Sequence, residues 1–258
     1  MTDKIKLERR GHTALITIDN PAANTWDQDN LGALASMIGT LNDDLDCYAL
    51  VITGQGEKFF SAGADLNLFA DGDPAKAQAM AEAFHEAFTA LTHFRGVSIA
   101  AINGYAMGGG LECALCCDIR IAETQAQMAL PEATVGLLPC GLGTQHLPWI
   151  VGEGWAKRMI LCGERIGAEQ AQSIGLVEEV VAQGESLNRA LMLAEQSEKQ
   201  SPSSVSACKN LIMAARTQSM PEALADEKTA FVDLFSTADQ KEGVNAFLEK
   251  RAPSWKNA

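Results

Sequence analysis

Three consecutive glycines, Gly108-Gly109-Gly110, separate an apolar run (Val97 to Ile102) and its Asn103-Gly104 turn from a helix-compatible run whose opening turn carries Glu112. A segment of this kind has few ways to fold. The apolar run reads as a strand, the turn dipeptide ends it, and the glycines lead into a helix. At a helix start the first N–H groups lack intrahelical partners, and bare glycines let a ligand approach them. These groups also lie at the positive end of the helix dipole, where an anion or a developing oxyanion is stabilised. The architectural alternative is that the glycines only permit a strand and a helix to pack closely.

Three familiar glycine motifs do not fit. A phosphate-binding loop needs Gly-Lys-Ser/Thr, but Leu111-Glu112 follows Gly110. The spacing Gly104-x-x-x-Gly108-Gly109-Gly110 is not that of a dinucleotide fingerprint. A nucleophile elbow needs Ser or Cys between its glycines, and none stands there. Earlier in the chain, the apolar run Ala49 to Thr53 and the turn Gly54-Gln55-Gly56 precede Phe60-Ser61-Ala62-Gly63-Ala64-Asp65-Leu66. Its small residues expose backbone as a second oxyanion donor requires.

With these segments in view, the chain resembles the enoyl-CoA hydratase/isomerase (crotonase) family. The resemblance rests on Phe60 to Leu66, Ala101 to Glu112, Cys117-Asp118-Ile119, Pro131-Glu132, Gly143-Thr144-Gln145, Ala168 to Val177, and Glu242-Gly243 through Lys250-Arg251. These segments run in family order over nearly the whole chain. The resemblance implies an α/β fold: a crotonase-like spiral of ββα units over 1–195, followed by a C-terminal helical trimerisation region over 196–258. It implies an acyl-CoA thioester as ligand and a homotrimer or dimer of trimers as assembly. No separate cofactor is expected, since CoA is part of the substrate.

The site residues follow by position. The resemblance makes the amides of Ala64 and Gly109 the oxyanion donors, and Glu112 and Glu132 the catalytic acids. Glu112 is assigned the base that activates water, and Glu132 the acid that protonates Cα. A helix start favours the anion of Glu112, whereas burial after Pro131 would keep Glu132 neutral. Ala62, Ala64, Asp65, Leu66 and Gly108 are expected beside CoA, with Phe231 and Lys250 contributing from the C-terminal region. The implied reaction is hydration of a 2-enoyl-CoA. A 3,2-enoyl-CoA isomerase, a branched-chain hydratase and a non-catalytic acyl-CoA binder remain as alternatives. Asn67, His146 and Trp149 stand where many relatives carry basic residues.

Composition narrows the partners. A net charge of −13 argues against nucleic acid and leaves local lysines, Lys58 and Lys250 among them, to attract an anionic CoA ester. No apolar run approaches the roughly 18 residues of a membrane span. Seven cysteines without framework spacing point to a reducing compartment, the cytoplasm. Cys113, Cys116 and Cys117 share one helix with no clustered histidine, so no metal site is expected.

Periodicity places the supporting elements. Strands are expected near 5–10, 14–18, 49–53, 97–102 and 118–122, and helices near 28–41 and 73–94. Met80, Phe84, Phe88 and Leu91 form a stripe that reads as core or, by resemblance, as a wall of the acyl pocket. Beyond about residue 185 the chain reads as helix, broken at Ser201-Pro202 and Met220-Pro221. Trp26 reads as core packing near the pocket mouth.

Overall fold

The computed structural model describes residues 3–258. Strands β1 (Ile5–Arg10) and β2 (Thr13–Ile18) form a hairpin that leads into helix α1 (Gln28–Asp43). The two-strands-then-helix pattern repeats as β3 (Ala49–Gly54), β4 (Phe59–Ser61) and α2 (Pro74–Thr92). Next come β5 (Val97–Ile102), β6 (Tyr105–Met107) and α3 (Gly109–Leu115), then β7 (Ile119–Glu123), β8 (Gln127–Ala129) and α4 (Gly143–Leu161). The strand-bearing part ends with β9 (Ile166–Gly167), α5 (Ala168–Ser173), β10 (Glu179–Val181) and α6 (Ser186–Ser197). Helices α7 (Pro202–Ala214), α8 (Met220–Asp233) and α9 (Ala238–Leu248) follow.

From the second repeat to the fourth, each ββα turn gives one strand to each of two sheets. The large sheet has the order β1-β2-β3-β5-β7-β10 and the small one β4-β6-β8-β9. Pairing is parallel from β2 through β10, with Ile52 opposite Ala100 and Ala101 opposite Ile121. Parallel strands buried on both faces read as continuous apolar runs, and β3 is buried at every position. Leu50, Ile52, Ala100 and Ile102 face the main core with α1 and α2, while Val51, Ile99, Ala101 and Ile121 meet Ala190 and Ala194 of α6. The chain is thus a spiral of ββα units ending in helices.

Local chemistry sets the element ends. Asp27 and Asn30 cap α1 reciprocally, and Asp73 caps α2 ahead of Pro74. Ser201 caps α7 before Pro202, and Ser219 and Glu222 form a capping box for α8, which opens at Met220-Pro221. The two prolines that break the helical pattern therefore sit in first turns, where a missing N–H costs nothing. Asn103 ties β5 to the turn after β3: its Nδ2 donates to the carbonyls of Gly54 and Gly56, and its Oδ1 accepts from Gly54 N–H.

Candidate active site

The glycine run performs several tasks at once. Gly108 caps α3 with φ of +52°, in the left-handed region that favours glycine. A methyl group on Gly110 would stand 2.2 Å from the Ser61 carbonyl oxygen, so α3 lies directly against the end of β4. On Gly109 it would meet the Phe84 ring at 2.9 Å and Trp26 at 3.3 Å. The architectural reading of these glycines holds.

Gly109 opens α3, so its N–H has no partner within the helix. Ala64 forms a single bridge with Trp26 that uses the Gly63 carbonyl and the Asp65 N–H. The Ala64 N–H takes no part in that bridge. A methyl group on Gly63 would lie 3.1 Å from the Gly109 nitrogen, so the segments carrying the two amides touch. Trp26 itself is fully buried and packs edge-on against Phe88, as core.

Glu112 is only 2 % exposed. The Gly143 N–H donates to its Oε1 at 2.8 Å, and Gly141 lies against the same carboxyl, where a methyl group would stand 2.9 Å from Oε2. Burial nevertheless dominates and pushes its pKa up to about 8, with the Glu132 charge adding to the rise and the two amides opposing it. Glu132 begins the short 3₁₀ turn Glu132–Val135. Burial raises its pKa as well, while its own backbone N–H works the other way. Its Oε2 is buried and makes no hydrogen bond. The expected charge order is therefore corrected. Glu112, not Glu132, is the deeper carboxyl, because α3 buries its first turn completely and desolvation outweighs the helix end.

Both carboxyls line one cavity of about 530 Å³, together with Ala62, Ala64, Leu66, Gly108 and Gly109. Met80 and Phe84 of the α2 stripe line it too, whereas Phe88 and Leu91 are buried in the core. Asp65 stands beside the cavity and caps the 3₁₀ turn Leu66–Phe69 by accepting from Asn67 N–H. Within one chain, Phe231 and Lys250 do not reach the cavity. Phe231 is 64 % exposed on α8 against Phe235, and Lys250 is exposed just past α9. Lys58 lies over the Phe59 ring at 5.2 Å, also outside the lining. His146 is buried and held well down, at about 4, by burial and by Arg216, whose guanidinium contacts His146 Nδ1 at 3.2 Å. Cys113, Cys116 and Cys117 are buried thiols, all raised by burial.

Sequence reasoning missed Gly141 and Gly143 as partners of Glu112, and Leu137, Leu138 and Cys140 as cavity lining. The signal was faint. Gly141 and Gly143 flank Leu142, which takes φ of +75° although it is not glycine. The glycines are spent on the carboxyl instead: a methyl group on Gly141 would lie 2.9 Å from Glu112 Oε2, and one on Gly143 2.8 Å from Oε1.

Comparison with known proteins agrees with this geometry. The chain is 37 % identical over 250 residues to a short-chain-enoyl-CoA hydratase of Clostridium acetobutylicum, covering 96 % of each. It is 38 % identical over 251 residues to a 2,3-dehydroadipyl-CoA hydratase of Escherichia coli, covering 97 % of each. The solved structure of Pseudomonas aeruginosa DspI superposes with a TM-score of 0.97 at 65 % identity, over 99 % of this chain and 97 % of that one. The enoyl-CoA hydratase/isomerase family matches residues 8–258, and the chain belongs to that family.

Proposed function

We propose that the protein is an enoyl-CoA hydratase, adding water across the 2,3-double bond of an enoyl-CoA thioester to give the 3-hydroxyacyl-CoA. One observation carries this reading: two carboxyls with raised pKa values share an apolar cavity with the Ala64 and Gly109 amides. The amides bind the thioester oxygen as enolate charge develops, a contribution of about 3–4 kcal/mol per donor in comparable sites. Water oxygen bonds to Cβ while one carboxylate takes its proton. The other carboxyl gives a proton to Cα, and the pair ends with the proton count it started with. Hydration needs an acid and a base together, and two carboxyls carrying one proton between them meet that need. In this reading Glu112 and Glu132 act as one coupled unit that passes the shared proton between the water and Cα. A 3,2-isomerase can shuttle one proton on one carboxyl, so the second acid in the cavity favours hydration.

In this reading Ala62, Leu66 and Gly108 of the cavity lining, with Asp65 beside them, meet the CoA. Phe231 and Lys250 would serve the CoA of a neighbouring subunit. We take residues 1–195 as the core and 196–258 as the assembling region. Phe231, Phe235, Phe247 and Leu248 are all at least 60 % exposed in the single chain, a face suited to burial in a homotrimer or dimer of trimers. Seven unpaired thiols fit the cytoplasm. Among the described residues no helix is long and apolar enough to cross a membrane.

The test is hydration of crotonyl-CoA by Glu112→Gln and Glu132→Gln. Each variant should lose at least about 10²-fold in kcat, the range for acid–base groups. Near-normal turnover in either removes that residue from the mechanism. A 3-enoyl-CoA converted faster than the 2-enoyl-CoA would select the isomerase instead.

A further inference from the structure

The two amides proposed to hold the thioester oxygen come from different repeats, and one residue of the first repeat meets both. Trp26 stands between β2 and α1. Its N–H donates to the Gly63 carbonyl at 2.8 Å, and its carbonyl accepts from the Asp65 N–H at 3.0 Å. Ala64 is therefore gripped on both flanks. The indole of the same residue reaches the other donor: a methyl group on Gly109 would stand 3.3 Å from Trp26 Cδ1. Phe84 closes on that methyl position at 2.9 Å, and Phe88 meets the indole edge-on with ring centroids 5.7 Å apart.

Trp26 is itself anchored. The preceding Thr25 carbonyl accepts from Asn20 Nδ2 and Asn30 Nδ2, each at 2.8 Å, and the following Asp27 caps α1. The side chain is fully buried and is not part of the cavity lining. Its Nε1 is buried without a hydrogen-bond partner. An orphaned buried N–H lowers stability, and leucine or phenylalanine would fill a core without one. Tryptophan adds reach instead, as a rigid ring system long enough to run from the Ala64 bridge to the Gly109 turn.

We propose, on the hydratase reading of this site, that Trp26 is a positioning residue that fixes the spacing of the Ala64 and Gly109 amides. A thioester oxygen gains from both donors only when each lies about 3 Å from where its charge develops. The backbone of Trp26 sets one donor and its indole edge the other. The backbone grip on Ala64 survives any side chain at this position, so a shorter one acts on Gly109, freeing the first turn of α3 to shift.

The experiment reads the full chain, Trp26→Leu and Trp26→Phe in two ways. Butyryl-CoA has no double bond to hydrate; isotopically labelled at its thioester carbonyl, it reports polarisation by difference infrared spectroscopy. In the parent the bound carbonyl band should lie below that of the free ester, and in both variants it should return toward the free position. For crotonyl-CoA hydration kcat should fall by about 10-fold or more with KM within about threefold, because the weakened interaction belongs to the transition state. Trp26→Phe also removes the orphaned N–H, which offsets part of the lost packing and keeps the test open if Trp26→Leu does not fold. Phe94→Leu, in the same core beyond the far end of α2, should lower the melting temperature while leaving band and kcat unchanged. An unshifted band in the parent, or one that the variants leave in place, overturns the proposal. So does an equal change in Phe94→Leu, or a KM that rises as fast as kcat falls. A parent whose lowered band is lost in the variants, yet which does not hydrate crotonyl-CoA, upholds the spacing and sinks the hydratase reading.

Discussion

The Gly143 N–H donates to Glu112 Oε1 at 2.8 Å, fastening the first turn of α3 to the first residue of α4. This one bond holds a carboxyl that burial would otherwise leave without a polar partner on that side. The neighbouring Gly141 amide, in the preceding loop, also favours the charged form. The consequence is a carboxyl fixed in position yet reluctant to ionise.

Gly143→Ala should separate position from composition. The added methyl would stand 2.8 Å from Glu112 Oε1, so the carboxyl must shift. A misplacement of about 1 Å costs on the order of 10²-fold in rate. We expect kcat for crotonyl-CoA hydration to fall by that order while KM moves little. Steady-state kinetics with circular dichroism as a fold control checks it.

The pH profile should report the coupled pair. At low pH both carboxyls are protonated; the pair then loses one proton, and the last leaves near the Glu112 value of about 8. The form with one acid and one base is lost above that point. kcat/KM should therefore decline as pH rises through about 8, and the limb should vanish from the residual activity of Glu112→Gln. A profile flat from pH 7 to pH 9.5 would contradict the shift.

Stability carries the same signature. Glu112 binds its proton more tightly folded, at about 8, than at its ordinary 4.5. Its contribution is thus complete below pH 4.5 and is lost as pH rises through 8. Glu112→Gln keeps a neutral group in place, so its urea midpoint should fall less than the parent's between pH 5 and pH 8.5. At the upper pH it should be at least as stable as the parent.

Asp239 should matter to the C-terminal tail. It is 1 % exposed and accepts from Lys256 N–H at 2.7 Å and Asn257 N–H at 3.1 Å. Asn257 in turn donates to the Leu45 carbonyl at 2.6 Å. Asp239→Ala leaves those amides without their acceptor and should cost about 1–3 kcal/mol. Hydrogen exchange should show residues 254–258 losing protection before the core does.

Much of this was legible in the sequence. Five of the six strands of the large sheet were readable, the central ones because burial on both faces leaves apolar runs such as Ala49 to Thr53, whereas the short β10 was not. The α2 stripe proved to be both things it resembled, core at Phe88 and Leu91 and cavity wall at Met80 and Phe84. The charge order of Glu112 and Glu132 was not readable, because a helix end is local whereas burial is decided by α4 and α2 closing over α3. Nor could spacing reveal that Gly141 and Gly143, dozens of positions from Glu112, would be its partners. The C-terminal tail is likewise invisible to periodicity, since it is anchored by hydrogen bonds to Asp239, Glu242 and the Leu45 carbonyl.

The winding of the chain spreads the proposed site over three coils. Ala64 belongs to the second repeat, Gly109 and Glu112 to the third, and Glu132 to the fourth. In the hydratase proposed above, changes confined to the fourth coil would alter proton delivery while the Ala64 and Gly109 amides, on the second and third, stay in place. A scaffold partitioned in this way can acquire new reactions one winding at a time.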